Sequence, residues 1–366
     1  NLDNQITGWL SVGINSMYSR RDLSGIAASV LNAYWMSPYS RMYFDEAETD
    51  PVVPTPSGDD LISNPLFNAL QTSNEEISNN LFANVYAAVD LPFLEGLSYR
   101  INFSPNLRWD HDYSFQSIYQ RNGINNTGRG RKYNRNRWDW QVENILSYAR
   151  TAGDHDFDLT LLYGRNHSSW EDTFAEGEGF VNGANGWNNL DIAQTKTLET
   201  AAARQDGVSS MARLNYRFKN RYLVTLTARR DGTSVFGADR KFGVFPSAAL
   251  GWILSEEPFM QHSSGIDLLK LRLSYGETGN QAVDPYQSQE RSASWQYVFG
   301  EDTYTAIFPD PEVMPNYGLG WETTRSLNAA VDFTLWEGRV GGTIEYYGMR
   351  TTDLLLGRRL PLMTGF

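Results

Sequence analysis

The feature that most constrains this chain is a two-residue rhythm that recurs along most of its length. Leu97, Tyr99, Ile101 and Phe103 share one parity, while Ser98, Arg100, Asn102 and Ser104 share the other. Phe157, Leu159, Leu161 and Tyr163 oppose Asp158 and Thr160, with Leu162 the one misfit. Ala212, Leu214, Tyr216 and Phe218 oppose Arg213, Asn215 and Arg217, and after Lys219-Asn220-Arg221 the pattern resumes with Tyr222, Val224, Leu226 and Ala228. Leu269, Leu271, Leu273 and Tyr275 oppose Lys270, Arg272 and Ser274; Leu327, Ala329, Val331, Phe333 and Leu335 oppose Ser326, Asn328, Asp332 and Thr334. Successive side chains of a strand point to opposite faces, so this period demands sheet with one apolar and one polar face. Weaker segments at 9–19, 80–90, 137–149, 244–254 and 339–350 bring the expectation to about eleven strands of about 9–12 residues. Only Ile26 to Trp35 competes as a helix.

The connections alternate in length. Short turns are expected at Leu91 to Gly96, Ala149 to His155, Lys219 to Arg221 and Trp336 to Arg339, and long polar excursions at 20–79, 104–136, 166–207 and 277–322. Loops beyond about 15 residues are uncommon in compact domains. A transmembrane barrel accounts for them, with short turns on the periplasmic side and long loops outside. Trp9, Phe93, Tyr148, Phe157, Phe218, Tyr222 and Trp336 sit where strands meet the short turns, as an interfacial aromatic girdle would. Composition agrees by exclusion. The 366 residues contain no cysteine, which removes disulfide scaffolds, Cys-ligated zinc and thiol catalysis. Mean hydropathy is −0.47 and no apolar run approaches the length of a spanning helix, which leaves a membrane β-barrel open. A net charge of −12 argues against nucleic acid as a partner. The chain therefore reads as all-β: an antiparallel, up-and-down transmembrane β-barrel segment. A soluble carbohydrate-binding β-sandwich is the alternative, since it too has one apolar face per sheet.

Chemistry-bearing motifs are sparse. There is no Gly-x-Ser-x-Gly, Walker or His-Glu-x-x-His sequence, so no catalytic residue is assigned. His111, His155, His167 and His262 are not spaced for a metal, and no metal ligand is assigned. Asp154-His155-Asp156 reads as a hairpin turn. Glu171, Asp172, Glu176 and Glu178, in the stretch up to Asp191, could chelate calcium on an external loop, although a solvated loop is the plainer expectation. The basic cluster Arg129, Arg131, Lys132, Arg135 and Arg137 is expected to be solvated or to meet lipopolysaccharide phosphates at the outer leaflet, not nucleic acid. Trp170, Trp187 and Trp295 fall in the long loops. They are the ligand-binding candidates, by stacking on ring faces, with loop-on-loop packing as the simpler reading.

One set of motifs carries more. Arg229-Arg230-Asp231-Gly232-Thr233-Ser234-Val235-Phe236-Gly237 is followed by Phe245-Pro246-Ser247-Ala248 and Gly251-Trp252, then by Leu269-Lys270-Leu271-Arg272-Leu273-Ser274-Tyr275-Gly276-Glu277-Thr278-Gly279-Asn280 and Trp321-Glu322-Thr323-Thr324. With the closing Asp353-Leu354-Leu355-Leu356-Gly357-Arg358-Arg359-Leu360-Pro361 and Thr364-Gly365-Phe366, these stretches closely resemble the SusC/RagA branch of TonB-dependent outer-membrane transporters. The resemblance is dense from about Ser209 onward; Val235 stands where the family usually has Arg, and Arg359 where it usually has Pro. It implies a barrel of about 22 strands, of which this chain would be an open segment, with an N-terminal plug in the lumen. It also implies bacterial outer-membrane location, energy coupling through TonB, a SusD-like surface lipoprotein as lid, and import of glycan oligomers or oligopeptides. A passive porin-like barrel is the uncoupled alternative.

Residues 1–366 are accordingly expected to be a partial barrel domain, with plug, TonB-contacting part and terminal strands lying outside it. Within the motif, Arg230, Asp231, Gly232, Phe236, Gly237, Pro246, Ser247, Gly251 and Trp252 read as architectural. Arg and Asp are expected to pair across strand ends, with Pro246 at a strand start. Expressed alone, residues 1–366 should aggregate through unpaired strand edges, because each unsatisfied backbone group is costly in hydrocarbon. Heat-modifiability on gels and circular dichroism in micelles check this. A monodisperse, cooperatively melting product would contradict it.

Overall fold

The computed structural model describes residues 1–40, 64–117, 128–260, 265–361 and 363. Fourteen strands dominate it: β1 (Leu2–Gln5), β2 (Leu10–Asp22), β3 (Thr72–Asp90), β4 (Leu97–Gln116), β5 (Arg129–Ala152), β6 (His155–Glu178), β7 (Thr195–Phe218), β8 (Tyr222–Thr233), β9 (Phe242–Ile253), β10 (Ile266–Asn280), β11 (Ser292–Phe299), β12 (Asp302–Pro309), β13 (Glu322–Leu335) and β14 (Val340–Thr352). Twelve make one antiparallel sheet in sequential order, from β1 through β10 to β13 and β14; β11 and β12 pair only with each other. The sheet is open, with β1 and β14 as its edges. All eleven expected strands are present, and β1, too short to show a rhythm, makes the twelfth. The expected helix shrinks to Val30–Trp35, capped by the Ser29 hydroxyl accepting from the Asn32 amide at 3.2 Å. Among the described residues, no helix is long and apolar enough to cross a membrane.

Strand length departs most from expectation. β3 to β7 run 19, 20, 24, 24 and 24 residues, so much of the 104–136 and 166–207 excursions is strand. β5 and β6 pair continuously from Arg129↔Glu178 to Ala152↔His155. About 9–11 residues suffice to cross a bilayer, so roughly half of each long strand stands beyond it on the long-loop side. There neither face meets hydrocarbon and the alternation fades, while the backbone ladder continues.

Register divides the side chains cleanly. Leu214 pairs with Leu226, Tyr216 with Val224, and Leu271 with both Trp252 and Val331, placing Leu214, Tyr216, Val224, Leu226, Leu271, Val331 and Phe333 on one face. Arg213, Arg217, Lys270, Arg272 and Asp332 lie on the other. On that polar face Arg272 holds Asp332 bidentately at 2.7 and 2.9 Å, and Thr343 donates to the same carboxylate. Arg217 pairs with Asp156 at 2.8 Å. The apolar face has no second layer: Leu226, Leu273, Ile344 and Tyr346 are all exposed. A continuous uncovered apolar face of this kind is a lipid-facing surface. Aromatics bound it. Phe157–Tyr216, Phe218–Tyr222 and Tyr222–Trp252 stack in a belt at the short-turn end, with centroids 5.0, 6.1 and 6.3 Å apart. Tyr99 and Trp109 on β4, and Tyr148 and Trp138 on β5, each stand ten residues apart on this face. At a barrel tilt that spans about 25 Å, the height of an outer-membrane apolar band.

The turn after β9 folds back onto the belt. Glu257, only 7% exposed, accepts from the Tyr222 hydroxyl at 2.6 Å, Trp252 Nε1 at 3.0 Å and Arg221 Nη1 at 3.1 Å. These donors, the Tyr222 hydroxyl foremost, hold its carboxyl below the usual glutamate range. A depressed pKa contributes stability that is present above the ordinary glutamate range and is lost as pH falls through the depressed value. In chemical unfolding of the protein, Glu257→Gln should therefore be less stable than wild type at neutral pH, with the gap closing in acid. Leu226→Arg should cost about 2–4 kcal/mol near the bilayer midplane, read from the same unfolding curves in lipid.

Candidate ligand-binding face

Above the apolar band, alternate residues of β4, β5 and β6 build a polar wall. Its cross-strand rows are Asp112–Tyr133–Phe174, Asp110–Arg135–Asp172 and Arg108–Arg137–Trp170, the last continued on β3 by Asn80. Arg135 Nη2 donates to Asp172 Oδ2 at 2.7 Å, the Tyr133 hydroxyl donates to the same oxygen at 3.1 Å, and the Arg135 guanidinium stands 4.8 Å from the Trp170 ring. Arg137 pairs with Asp139 and Arg108 with Asp110, each at 2.8 Å along its own strand. Burial, then the bond to Asp172, raises the Tyr133 hydroxyl pKa; the Asp172 bond raises that of Arg135. Both therefore stay protonated, and the wall presents fixed donors beside fixed acceptors.

The structure does not bring the three tryptophans together. Trp170 lies on β6, not in a loop, and faces the polar wall. Trp187 sits in a one-turn helix, Gly186–Asn188, and packs with Leu190 on the cluster of Phe115, Phe180 and Ala193, on the opposite face. Gly130 and Gly177 permit that packing, since a Cβ on either would fall 2.6 Å from Leu190 or 2.7 Å from Ala193. Trp295 is 70% exposed on the β11–β12 hairpin, remote in sequence and element from both.

The other loop expectations also change. Asp172, Glu176 and Glu178 share the polar-wall face of β6 and Glu171 lies on the other, with Asp172 taken by Arg135 and Glu176 by Arg129 at 2.7 Å. Among the described residues, no group of three carboxylates or histidines could hold a metal; His262 lies outside them. Of the basic cluster, Arg129, Arg131, Arg135 and Arg137 share the polar-wall parity and only Lys132 faces outward, 4.8 Å from the Tyr113 ring. The period of two decides this. In sequence the cluster looks like the end of a loop entering a strand, and a loop has no parity.

The family-like motif builds a buried wedge. β9 and β10 pair only as far as Ser247↔Gly276, and above that point β9 continues with β8 while β10 continues with β13. Phe236, 1% exposed, meets Trp321 edge-on at 5.2 Å, and Phe245 meets Trp321 at 5.3 Å, so three rings fill the split. Pro246, which brings no N–H, lies inside β9 where the β10 ladder stops, rather than at a strand start. Gly237 donates its N–H to the Leu319 carbonyl at 3.0 Å, and a Cβ there would collide with the Tyr317 carbonyl. Ser288 donates to the Val235 carbonyl at 2.9 Å, and Tyr286 accepts from the Arg204 amide at 3.1 Å. Both ends of the 281–321 connection are thereby pinned.

Asp231 pairs with Arg229 on its own strand at 2.7 Å, whereas Arg230 covers the Phe242 ring at 4.0 Å. Gly232 sits against Phe242, Gly251 against Leu223, and Trp252 in the aromatic belt. Thr364, Gly365 and Phe366 lie outside the described residues. Glu257, Asn80 and Asn106 carry no motif in the sequence, and Trp321 only as part of one; for Asn106, continued parity through 104–137 is the available signal. Phe236→Ala should cost about 3–5 kcal/mol and expose the 281–321 connection to limited proteolysis.

Three comparisons bear on this geometry. A family model described as TonB dependent receptor-like, beta-barrel, matches residues 30–364. A TonB-dependent receptor of Formosa agariphila is 32% identical over 375 residues, covering 100% of this chain and 37% of that protein. The TonB-dependent receptor SusC of Bacteroides thetaiotaomicron is 32% identical over 330 residues, covering 83% of this chain and 30% of its own length. Among solved structures, the RagAB peptide transporter superposes with a TM-score of 0.81 at 19% identity, over 100% of this chain and 41% of that one.

Proposed function

We propose that this chain, which belongs to the TonB-dependent receptor-like β-barrel family, is part of the wall of an outer-membrane importer of glycan oligomers. In this reading the importer is energised through TonB and covered by a SusD-like lipoprotein. The chain spans 37% of the length of the Formosa agariphila receptor it matches, and the plug, the TonB-contacting segment and the remaining strands are assigned to the rest of the protein. The family is one of transporters, and the chain is assigned no enzymatic role. The observation that carries the proposal is the sheet's division of labour. Its lower half is apolar outward and ion-paired inward, and its upper half is a polar wall with aromatic and guanidinium surfaces.

Outer-membrane lipid covers the apolar face in this reading. Lipopolysaccharide contact, expected of the basic cluster as a whole, falls in this reading to its one outward member, Lys132. Oligopeptides are the second cargo, favoured by the paired Arg and Asp rows, which could meet both charged termini of a peptide. Uptake of fluorescent oligosaccharides by cells carrying the full-length receptor tests the proposal. Uptake should stop when TonB is deleted or the proton-motive force is collapsed. Uptake that persists at full rate would make the protein a passive porin-like barrel.

A further inference from the structure

We infer that the polar wall holds a binding strip for neutral glycan chains, running through Asn80, Arg108, Arg137 and Trp170 and flanked by Asn106 and Arg135. The inference rests on the importer reading and narrows its cargo. The four named first are paired across β3, β4, β5 and β6 in a single row. With neighbouring strands about 4.8 Å apart, the row is about 14 Å long, the scale of a short oligomer lying across the strands.

Charge is balanced along it. Arg108 has Asp110, Arg137 has Asp139, and Arg135 has Asp172, each within 2.8 Å, so three cations face three anions. A polyanion would meet three carboxylates and a polycation three guanidiniums. A guanidinium only donates and a carboxylate only accepts, whereas a hydroxyl does both. One hydroxyl can therefore bridge each pair, and a chain of vicinal hydroxyls matches the whole row without bringing net charge.

The strip is also unfinished in its own hydrogen bonding. Asn80 Oδ1, Asn106 Oδ1 and Arg135 Nε are buried without a partner, and all three belong to adjacent rows of the same face. Buried polar atoms are almost always bonded, and leaving one unmade is costly. A hydroxyl-rich ligand lets these side chains turn outward and complete their bonds. Part-exposed Trp170, with Arg135 beside it, adds the flat surface on which the C–H face of a sugar ring stacks.

The test is calorimetric titration of the purified full-length receptor with neutral gluco-, manno- and xylo-hexaoses, a sulfated hexasaccharide, and hexapeptides of either charge. At least one neutral hexaose should bind, more tightly than every charged probe. Trp170→Ala should weaken it by about tenfold or more. The Asn80→Ala, Asn106→Ala pair should weaken it severalfold. Trp187→Ala, whose ring lies on the opposite face, should leave it unchanged. Trp170→Phe guards against misassembly: it should retain heat-modifiability and bind between the two extremes. Preference for a charged probe, absence of binding to any neutral hexaose, or wild-type affinity in Trp170→Ala would each overturn the strip. Energised uptake that survives in Trp170→Ala cells would remove the strip and leave the importer standing. Uptake indifferent to TonB in wild-type cells would remove the importer itself.

Discussion

Hydrocarbon offers no partner to a peptide N–H or C=O, so a chain that crosses it in strands must pair every strand on both sides. The rest of this structure follows from that ladder. Sequential antiparallel order keeps neighbours in sequence as neighbours in space, from β2 through β10. The period of two then assigns each side chain to lipid or to water. Within the β3–β4 ladder the rule is strained. Partner residues of β3 and β4 lapse around Ala83 and Asn84, opposite Ser104 and Pro105, where proline has no N–H to give. The Asn84 amide donates to the Ser104 hydroxyl at 2.7 Å and spans the gap.

What could be read in the sequence was what the bilayer dictates. The eleven strands near the membrane, the two-sided alternation at Leu269 to Tyr275 and the tight Lys219–Arg221 turn are all where the pattern puts them. Lys219 and Asn220 take left-handed φ values of 51° and 54°, as the favoured hairpin turns require. Above the band the same backbone continues with hydrocarbon on neither face, and hydropathy no longer alternates. Arg129 to Arg137 and Trp170 to Glu178 thus look like loop although they are strand. The wedge was hidden for another reason. Phe236, Phe245 and Trp321 come from three separate segments, and their meeting depends on where β9 and β10 part. Trp187 was legible only as an aromatic; that it packs on the Phe115–Phe180–Ala193 cluster depends on two glycines in other strands.

The two halves of the tall strands have different duties, and the ion pairs show it. In the lower half, Arg272–Asp332 and Arg217–Asp156 neutralise charge on the polar face where the other face meets lipid. In the upper half the pairs lie partly along single strands, as in Arg108–Asp110 and Arg137–Asp139, and Arg137 also donates to the Ser168 hydroxyl at 3.4 Å. The wedge at β9 and β10 sits between these regimes. It replaces a lost ladder with packed rings and fixes the long connection that carries the β11–β12 hairpin.

The central claim is that one sheet separates lipid from water by residue parity, and the absence of native cysteine in this chain makes that directly measurable. Cysteines placed singly at Leu226, Leu273 and Phe333, and at their neighbours Thr227, Ser274 and Thr334, would be probed in the full-length receptor assembled in outer membranes. A membrane-impermeant maleimide should label the second set and spare the first, while lipid-borne spin labels should quench fluorophores only at the first. Equal labelling of both sets, or the reverse pattern, would contradict the account.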